Sequence, residues 1–400
     1  MSKCEYRRIP ELLWFQEGPG VRNTQYTRTG VKLLNVANLV NGKVDLSTSD
    51  RYISEDEAYG KYKHFLVDNG DFIIASSGIK VEYFDKKMGF VSSSQLPLCM
   101  NTSTIRFKVI DKSILDIKYF MYYLKSEDFK RQLDVNITGS AQLNFGPSHI
   151  KRMTVPLVPL SEQLAIIERL DKTNDIIEKL NHQLTLLDEL VKSRFVEMFG
   201  EPVYNPVEWD KLSLDEMCYS IVDCPHSTPK YTDEDTGYMC IRTSIVKKNE
   251  ILWDRIEYIS EEEYKQRIKR KKPQKGDIIY TREGAILGIA AIIDREYDVA
   301  LGQRSMLLSP DTSKYKPEFI CYAMNFDSFS NKVIQGTSGS ASPHINVADI
   351  KGFKIISPPL KWQEQFADFV IQTDKSKLVV KKQIEKLETL KKSLMQEYFG

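Results

Sequence analysis

A segment near the middle of the chain is repeated at its end. IKRMTVPLVPLSEQ begins at Ile150 and leads to SRFVEMFG at Gly200, while IKGFKIISPPLKWQEQ begins at Ile350 and leads to SLMQEYFG at Gly400. The two segments align without a gap, and about fourteen pairs are identical where roughly three would be expected by chance. A repeat of this length requires a fold that is built from two copies of one unit.

The duplication extends upstream of these segments. The matching runs are Gly139-Ser140-Ala141 with Gly339-Ser340-Ala341, Tyr52-Ile53-Ser54-Glu55 with Tyr258-Ile259-Ser260-Glu261, and Gly70-Asp71-Phe72-Ile73-Ile74 with Gly276-Asp277-Ile278-Ile279-Tyr280. The register shifts by a few residues between runs, as insertions in loops permit. We therefore predict a first domain at 1–155, a central helix at 156–200, a second domain at 201–355 and a C-terminal helix at 356–400.

The last part of each copy has the pattern of one long amphipathic helix, because apolar residues recur every three or four positions. The positions that we predict to pack one helix against the other are Ile167, Leu170, Ile177, Leu184, Leu187, Val191, Phe366, Val380, Ile384, Leu387 and Leu394. Both seams turn polar at the same place, at Thr173 and Thr373, which favours two antiparallel helices whose register is fixed there. Two unrelated surface helices are the alternative.

The first part of each copy is rich in β-strand signals. GDFIIASSG and GDIIYTREG each have a Gly-Asp turn, a strand and a second glycine, and STIRFKVI and GIAAIID are typical of further strands. KYFMYYLKSEDFKRQL and PEFICYAMNFDSFSNKV favour short helices. The predicted class is α+β: two mixed α/β domains, separated and joined by two long antiparallel helices, with an internal pseudo-twofold.

Composition narrows the class of protein. With 42% hydrophobic and 28% charged residues the chain is typical of a soluble globular protein, and its net charge of +1 means that any DNA-facing surface is a local patch. The N-terminus lacks an apolar signal-peptide region, and no apolar stretch is long enough to span a bilayer. Six scattered cysteines fit reduced thiols. We expect a cytoplasmic protein that is not bound to a membrane.

This order of domain, helix, domain and helix resembles the specificity subunits of type I restriction–modification systems (the HsdS family), over essentially the whole chain. The resemblance is carried by Trp14-Phe15-Gln16-Glu17-Gly18-Pro19-Gly20 with Arg22-Asn23, by the run from Gly276 to Gly284, by the Pro-Leu-x-x-Gln helix openings at Pro159–Gln163 and Pro359–Gln363, and by the Phe-Gly helix ends. The second domain departs from the first, since Asp223-Cys224-Pro225-His226-Ser227-Thr228-Pro229 stands where the first has Gly-Pro-Gly.

The resemblance implies a non-catalytic subunit that binds double-stranded DNA. Each domain of such a subunit, a target recognition domain, would read one half of a bipartite site, and the departure above implies that this site is asymmetric. Two copies of an adenine methyltransferase subunit would dock on the chain, and a helicase-nuclease subunit would complete the restriction complex. S-adenosylmethionine, ATP and magnesium are expected on those partners, and no cofactor on this chain. A helix of about 38 residues, roughly 57 Å long, would set the distance between half-sites.

Candidate DNA-binding residues are polar or basic and stand near the glycine turns. They are Arg22, Asn23, Gln25, Ser76, Ser77, Lys80, Arg242, Lys269, Arg270, Lys271, Lys272, Arg282, Gln303 and Arg304. Arg282 is the best candidate for base readout, because a guanidinium binds guanine bidentately in the major groove, and its counterpart in the first domain is predicted to be Ser76. Salt-bridged surface arginines are the alternative.

The basic run from Lys265 to Lys275 has two interpretations. It is either a loop that contacts phosphates or a solvated helix end balanced by Glu261, Glu262 and Glu263. Cys218, Cys224, His226 and Cys240 are a weak zinc candidate without a CxxC pair, with buried cysteines as the alternative.

Catalytic motifs were not found. Ser357-Pro358-Pro359-Leu360 lacks the aromatic residue of an adenine-methyltransferase motif, and the sequence contains neither a Walker loop nor a GxSxG elbow. A self-sufficient methyltransferase is therefore disfavoured. The alternative to a DNA-recognition subunit is a scaffold that does not bind DNA and uses the same helices to dock two partner proteins.

Overall fold

The computed structural model describes residues 5–136, 143–336 and 343–400. The repeated Gly-Ser-Ala runs at 139–141 and 339–341, and Cys4, lie outside these residues.

The first lobe contains thirteen strands and five short helices within the described residues. The strands are β1 (Glu5–Arg8), β2 (Leu13–Glu17), β3 (Val31–Leu34), β4 (Leu39–Val40), β5 (Lys43–Val44), β6 (Tyr52–Ile53), β7 (Phe72–Ala75), β8 (Ser77–Ile79), β9 (Met88–Phe90), β10 (Leu98–Met100), β11 (Thr104–Val109), β12 (Leu143–Asn144) and β13 (Thr154–Leu157). The helices are α1 (Ile9–Leu12), α2 (Glu55–Tyr59), α3 (Ile117–Leu124), α4 (Glu127–Asn136) and α5 (Pro147–Ile150).

The main sheet of the first lobe is antiparallel, with strand order β2-β11-β7-β9. Phe107 lies opposite Phe15 on one side and Phe72 on the other. The ring of Phe120 from α3 packs 5.1 Å from Phe107 and edge-on to Phe72. A smaller sheet, β10-β3-β6, contains a parallel pair between β10 and β3. The apolar face of the main sheet is therefore covered by α3, which gives the lobe its own core.

The second lobe repeats this arrangement. Its strands are β14 (Lys211–Ser213), β15 (Cys218–Asp223), β16 (Tyr231–Thr232), β17 (Met239–Ile241), β18 (Val246–Lys247), β19 (Glu250–Ile251), β20 (Glu257–Ile259), β21 (Ile278–Thr281), β22 (Ala290–Ile292), β23 (Val299–Leu301), β24 (Ser305–Pro310) and β25 (Lys354–Ile356). Its helices are α7 (Leu214–Met217), α8 (Glu261–Arg267), α9 (Pro317–Asn325), α10 (Asp327–Gly336) and α11 (Val347–Lys351).

The two lobes share one topology. The main sheet of the second is antiparallel β15-β24-β21-β22, and its smaller sheet again pairs a late strand with an early one in parallel, β23 with β17. The Gly-Asp runs lead into β7 and β21, as predicted, and the runs expected to be short helices form α3 with α4 and α9 with α10. The duplication seen in the sequence is therefore a duplication of the fold.

Each lobe is followed by one helix of 40 residues, α6 (Leu160–Phe199) and α12 (Leu360–Phe399). Both begin directly after the repeated prolines, as predicted. The chain leaves α6 through Gly200, whose φ of 76° is easily reached only by glycine. Because both helices run through forty residues without a break, the long amphipathic pattern was correctly interpreted.

The chain divides into two compact units, and the division cuts through both long helices. One unit comprises Met1–Leu180 and Gln383–Gly400, and the other comprises Asn181–Lys382. Within the first, Arg169 near the start of α6 donates a hydrogen bond to Tyr398 near the end of α12. Within the second, Phe195 near the end of α6 packs edge-on against Phe366 near the start of α12, 5.3 Å between centroids. In each unit the helices are therefore antiparallel, as expected.

The residues that we predicted to pack between helices differ in burial. Buried ones are Ile167, Leu170, Ile177, Val191, Phe366 and Val380, and half-buried ones are Leu184, Leu187, Ile384, Leu387 and Leu394. At the polar break, Thr173 and Thr373 are both buried, and their hydroxyls donate to the carbonyls of Arg169 and Phe369, each within its own helix. That this break fixes the register of the helices stays a prediction.

No helix in the described part of the chain is long and apolar enough to cross a membrane.

Candidate nucleic-acid interface

Three loops meet at the same corner of each lobe, and the same backbone hydrogen bonds hold them. In the first lobe the N–H of Gly18 donates to Thr104 O (2.9 Å) and the N–H of Ser76 to Ser103 O (2.8 Å). In the second lobe Cys224 N–H donates to Ser305 O (3.2 Å). These loops follow the glycine-containing motifs that suggested DNA contacts.

The bond from Ser76 to Ser103 in the first lobe corresponds to a bond from Arg282 N–H to Arg304 O (2.9 Å) in the second. A fourth segment is added in the same way, since Phe145 N–H donates to Ser76 O and Ile345 N–H to Arg282 O, both at 2.9 Å. The predicted correspondence between Ser76 and Arg282 is confirmed by these matching bonds. We call this arrangement of loops the corner frame. It comprises the loops around 17–18, 76–78, 103 and 145 in the first lobe, and those around 223–224, 282–284, 304 and 345 in the second.

Arg282 is not available for base readout in this structure, which corrects the strongest sequence expectation. Only 6% of its surface is exposed. Its Nε and Nη2 donate to the two carboxylate oxygens of Asp223 at 3.0 and 3.2 Å, and its Nη1 to Ile345 O at 3.3 Å. A second carboxylate, that of Glu283, lies 2.8 Å from Nη2. The guanidinium therefore ties two loops of the corner frame together.

Asp223 also attracts a histidine. Nε2 of the exposed His226 lies 3.1 Å from Asp223 Oδ2. Sequence reasoning missed Asp223, and the only signal was its place at the start of the segment that departs from the first lobe. Its partnership with a residue 59 positions away has no local signature.

The first-lobe candidates at this corner are also mostly engaged. Ser76 is buried, and its Oγ has no hydrogen-bond partner among the described residues. Ser77 Oγ donates to Ser103 Oγ at 2.5 Å. Lys80 is exposed, with its Nζ 3.6 Å from a carboxylate oxygen of Glu82. Ser76 is therefore wrongly predicted as a contact, whereas Ser77 and Lys80 remain accessible at least in part.

Gly18 of the first lobe lies very close to the backbone of Asn101, which explains the glycine at this position of the motif. A Cβ added to Gly18 would lie 2.0 Å from Asn101 O, so only glycine fits there. Nearby, Arg22 and Asn23 are exposed, while Gln25 donates from Nε2 to Glu57 Oε1 (2.5 Å) and to Tyr62 Oη (3.1 Å). Gln25 therefore positions its loop, and Arg22 and Asn23 remain candidates.

In the second lobe Gln303 and Arg304 flank the corner frame. Gln303 donates to Thr228 Oγ1. Arg304 is exposed, and the structure gives it no ion pair among the described residues. Arg242 is exposed too, but its Nη1 contacts both carboxylate oxygens of Glu257 at 2.8 Å and its guanidinium lies over the ring of Tyr231. Arg304 is therefore the arginine of this lobe that best fits an external acceptor.

The basic run is largely neutralised by the protein itself. Glu261 and Glu263 pair with Lys265 (2.6 Å) and Arg267 (2.7 Å), as the solvated-helix interpretation expected. Lys271 forms an ion pair with Asp277, and Lys272 forms one with Asp298. The guanidinium of Arg270 donates a hydrogen bond to the backbone O of Asp223.

Lys269 and Lys275 are exposed and have no ion pair among the described residues. Within this run, these two lysines and the exposed Arg270 therefore remain the candidates for phosphate contact that have no carboxylate partner among the described residues.

The cysteines proposed as a zinc alternative are separate, buried thiols. Burial raises the pKa of Cys218 and of Cys240 to about 12, and Cys224 Sγ accepts a hydrogen bond from Ser305 N–H. Across residues 5–136, 143–336 and 343–400, no group of three or more His, Cys, Asp or Glu side chains is placed to hold a metal ion.

A family model described as "Type I restriction modification DNA specificity domain" matches this chain twice, at residues 5–186 and 206–389. The chain belongs to this family. The specificity subunit of the type I restriction enzyme MjaVIII of Methanocaldococcus jannaschii is 22% identical over 352 residues, which cover 83% of this chain and 79% of that protein. The EcoKI specificity subunit of Escherichia coli K12 is also 22% identical, over 85% of this chain and 74% of that protein.

Solved structures share the fold. The S subunit of a type I restriction–modification system from M. genitalium has a TM-score of 0.56 at 15% identity, covering 100% of this chain and 97% of that one. A chain from a structure on complex assembly and conformational transition of the type I R-M system has a TM-score of 0.52 at 16% identity, covering 100% and 98%. The predicted resemblance and fold class are confirmed, and the chain is a type I specificity subunit with two target recognition domains.

Proposed function

We propose that this chain reads an asymmetric, bipartite DNA site, one half per lobe, and docks the adenine methyltransferase subunits that act on it. The observation that carries the proposal is the corner frame. Its backbone hydrogen bonds are the same in both lobes, whereas the side chains that it presents differ: Ser77 and Ser103 in one, Glu283 and Arg304 in the other. A shared frame with different exposed groups suits two readers of different sequences.

The two long helices support the bipartite part of the proposal. A helix of 40 residues is about 60 Å long, and it is uninterrupted in both copies. Such a rod can hold two reading lobes at a fixed distance, so that the spacer between half-sites follows from helix length.

The proposed partners follow from the same role. The lobes would bind double-stranded DNA, two methyltransferase copies would bind the chain, and a helicase-nuclease subunit would complete the assembly in the cytoplasm. S-adenosylmethionine, ATP and magnesium would reside on those subunits, and this chain would contribute recognition without catalysis. The duplication supports the number of two, because a docking surface formed by one copy of the repeated unit would have a counterpart in the other.

A methylation map tests the proposal directly. Deleting the gene should abolish N6-methyladenine at one split, asymmetric motif, and returning the gene should restore it. The control is a strain that lacks the partner methyltransferase gene, which should lose the same motif. An unchanged map in a strain shown to express the system would reject the proposal.

Binding by the purified complex separates this function from that of a scaffold without DNA affinity. The complex of this chain with its methyltransferase should bind duplex DNA containing the motif, with an affinity that falls steeply as salt rises. A complex that assembles normally but binds motif DNA no better than unrelated DNA would favour the scaffold.

A further inference from the structure

Arg304 has an unusual backbone for an exposed, long side chain. Its φ is 65°, in the left-handed region that residues other than glycine, asparagine and aspartate seldom adopt. The corresponding residue of the first lobe, Ser103, has a φ of 67°. Strain of this kind persists where the surroundings impose it, commonly at functional sites. The corner frame therefore imposes one backbone conformation on two different side chains.

The loops on both sides hold Arg304 in place. On one side the residues that flank it contact the loop 223–228: Ser305 N–H donates to Cys224 Sγ, and Gln303 donates to Thr228 Oγ1. On the other side Arg282 N–H donates to Arg304 O, and Gly284 lies beside the guanidinium. A Cβ at Gly284 would lie 3.3 Å from Arg304 Nη1, so the glycine leaves space for the side chain.

The pair of Asp223 and Arg282 joins these two sides. Both carboxylate oxygens of Asp223 accept from the Arg282 guanidinium, and both side chains are at least 86% buried. A charge pair with this geometry fixes the distance between the loop 223–228 and the loop 282–284. The backbone of Arg304, which lies between them, is consequently held in place, while its own guanidinium has no ion-pair partner among the residues of the described ranges.

We propose that Arg304 is the specificity-determining residue of the second lobe and binds the O6 and N7 edge of a guanine, and that Asp223 and Arg282 are positioning residues for it. This inference rests on the proposed DNA-reading function. An exposed arginine on a fixed backbone, whose guanidinium has no ion pair among the described residues, is the side chain that recognises guanine bidentately. At the same place the first lobe presents the hydroxyl of Ser103, bonded to Ser77, so it reads its half-site differently.

The test uses the complex of this chain with its methyltransferase and a library of duplexes in which each half-site position is varied. R304A should lower discrimination at one G·C pair of the second-lobe half-site by roughly 10- to 100-fold, the range expected for one bidentate contact, and leave the first half-site unchanged. R304K should discriminate less well than wild type, because an ammonium lacks the planar fork with which a guanidinium meets both acceptors. R255A, which removes another exposed arginine of the same lobe, is the matched control and should change nothing.

The positioning role has its own readout. D223N keeps the size of the side chain and removes its charge, so it should weaken discrimination at the same base pair as R304A. In the double variant the two losses should be less than additive, since both act on one contact. Additive losses, or a loss at a different position, would overturn the positioning role.

Other outcomes are equally informative. If R304A weakens binding to every duplex alike and lowers the salt slope by about one, Arg304 contacts a phosphate and the guanine assignment is wrong. Unchanged selectivity of R304A would also overturn it. If the wild-type complex itself shows no sequence preference, the proposed function has failed, and this result is distinct from any effect of Arg304.

Discussion

Gln163 and Gln363 occupy the same buried place in the two copies and share two hydrogen bonds. Both are completely buried. Each side-chain oxygen accepts from the backbone N–H of the residue 47 positions earlier, Asp116 at 2.9 Å and Lys316 at 3.0 Å. Each Nε2 donates to the carbonyl five positions earlier, that of Val158 or Pro358. The Pro-Leu-x-x-Gln motif therefore anchors the start of each long helix to its own lobe.

Replacing Gln163 by leucine should destabilise the first unit by about 1–3 kcal/mol, because the half-buried N–H of Asp116 and the carbonyls of Ile114 and Val158 would lose their partner. Urea unfolding and hydrogen exchange of α3 measure the change. Gln183 is a suitable control, since it is also identical in both copies but exposed, and Q183L should alter stability by less than about 0.5 kcal/mol. Equal effects of the two substitutions would contradict the anchoring role.

Replacing Phe399 by alanine should loosen the first lobe, although this residue follows the second lobe in the chain. Its ring lies 5.2 Å from that of Tyr119 and 5.9 Å from that of Tyr123, and the residue is only 3% exposed. The expected loss is about 3–5 kcal/mol, as for other buried aromatic residues.

Hydrogen exchange locates the effect of this substitution. F399A should accelerate exchange in α3, whereas F199A, whose ring packs against Phe319 at 4.9 Å, should accelerate exchange in α9. Acceleration in α9 rather than α3 with F399A would contradict the packing.

The carboxylate of Asp327 should contribute a pH-dependent part of the stability of the second unit. Hydrogen bonds from Lys192 and Lys248, at 2.6 and 2.9 Å, lower its pKa from 3.8 to about 2. A lowered carboxyl pKa stabilises the fold above the ordinary value of about 4, and the contribution disappears as pH falls toward 2. Because the pair is half exposed, we expect no more than about 1 kcal/mol.

Urea midpoints of wild type and D327N at pH 7, 5, 4 and 3 measure this contribution. Their difference should be constant from pH 7 to 5 and become smaller below pH 4. D233N, at an exposed loop position, serves as the control. A difference that grows on acidification would show that the lysines do not stabilise the carboxylate.

The five described cysteines should react very slowly with a thiol reagent at pH 8. All are buried, and burial raises the pKa of Cys99, like those of Cys218 and Cys240, to about 12. Since the thiolate is the reactive form, a C4S variant should remain unlabelled when native and take up five labels in denaturant. Rapid labelling of the native C4S chain would mean that a lobe opens readily.

If the long helices set the spacing of half-sites, shortening both should change the recognised sequence. Deleting 181–184 and 381–384 together removes about one turn, or roughly 6 Å, from each helix. The spacer in the methylated motif should become about two base pairs shorter, while both half-sites stay the same. Alanine at the exposed positions 181 and 182 keeps the length and should leave the spacer unchanged. An unaltered spacer after the deletion would show that the helices do not determine it.

The sequence was sufficient for the parts of the fold that depend on local pattern. The Gly-Asp turn, apolar run and second glycine of GDFIIASSG predicted β7, and the three-to-four spacing from Ile167 onward predicted α6. It was insufficient for contacts between distant segments. In the corner frame, Arg282 is neutralised by a carboxylate 59 residues away, and at the start of α6, Gln163 bonds to a residue 47 away. Such partners are determined by the packing of segments that are distant in the chain. The sequence therefore showed that Arg282 could bind a base, but not that a carboxylate of the protein already occupies its guanidinium.

The division of the chain into units has a consequence for synthesis. Residues 383–400 belong to the unit that also contains the first lobe, and Phe399 lies among the aromatic rings of α3. Nascent domains generally fold in order as they leave the ribosome. Here the core of the first lobe cannot be completed until more than two hundred further residues have been translated. A chain whose translation stops early would therefore lack the C-terminal residues that pack against its first lobe.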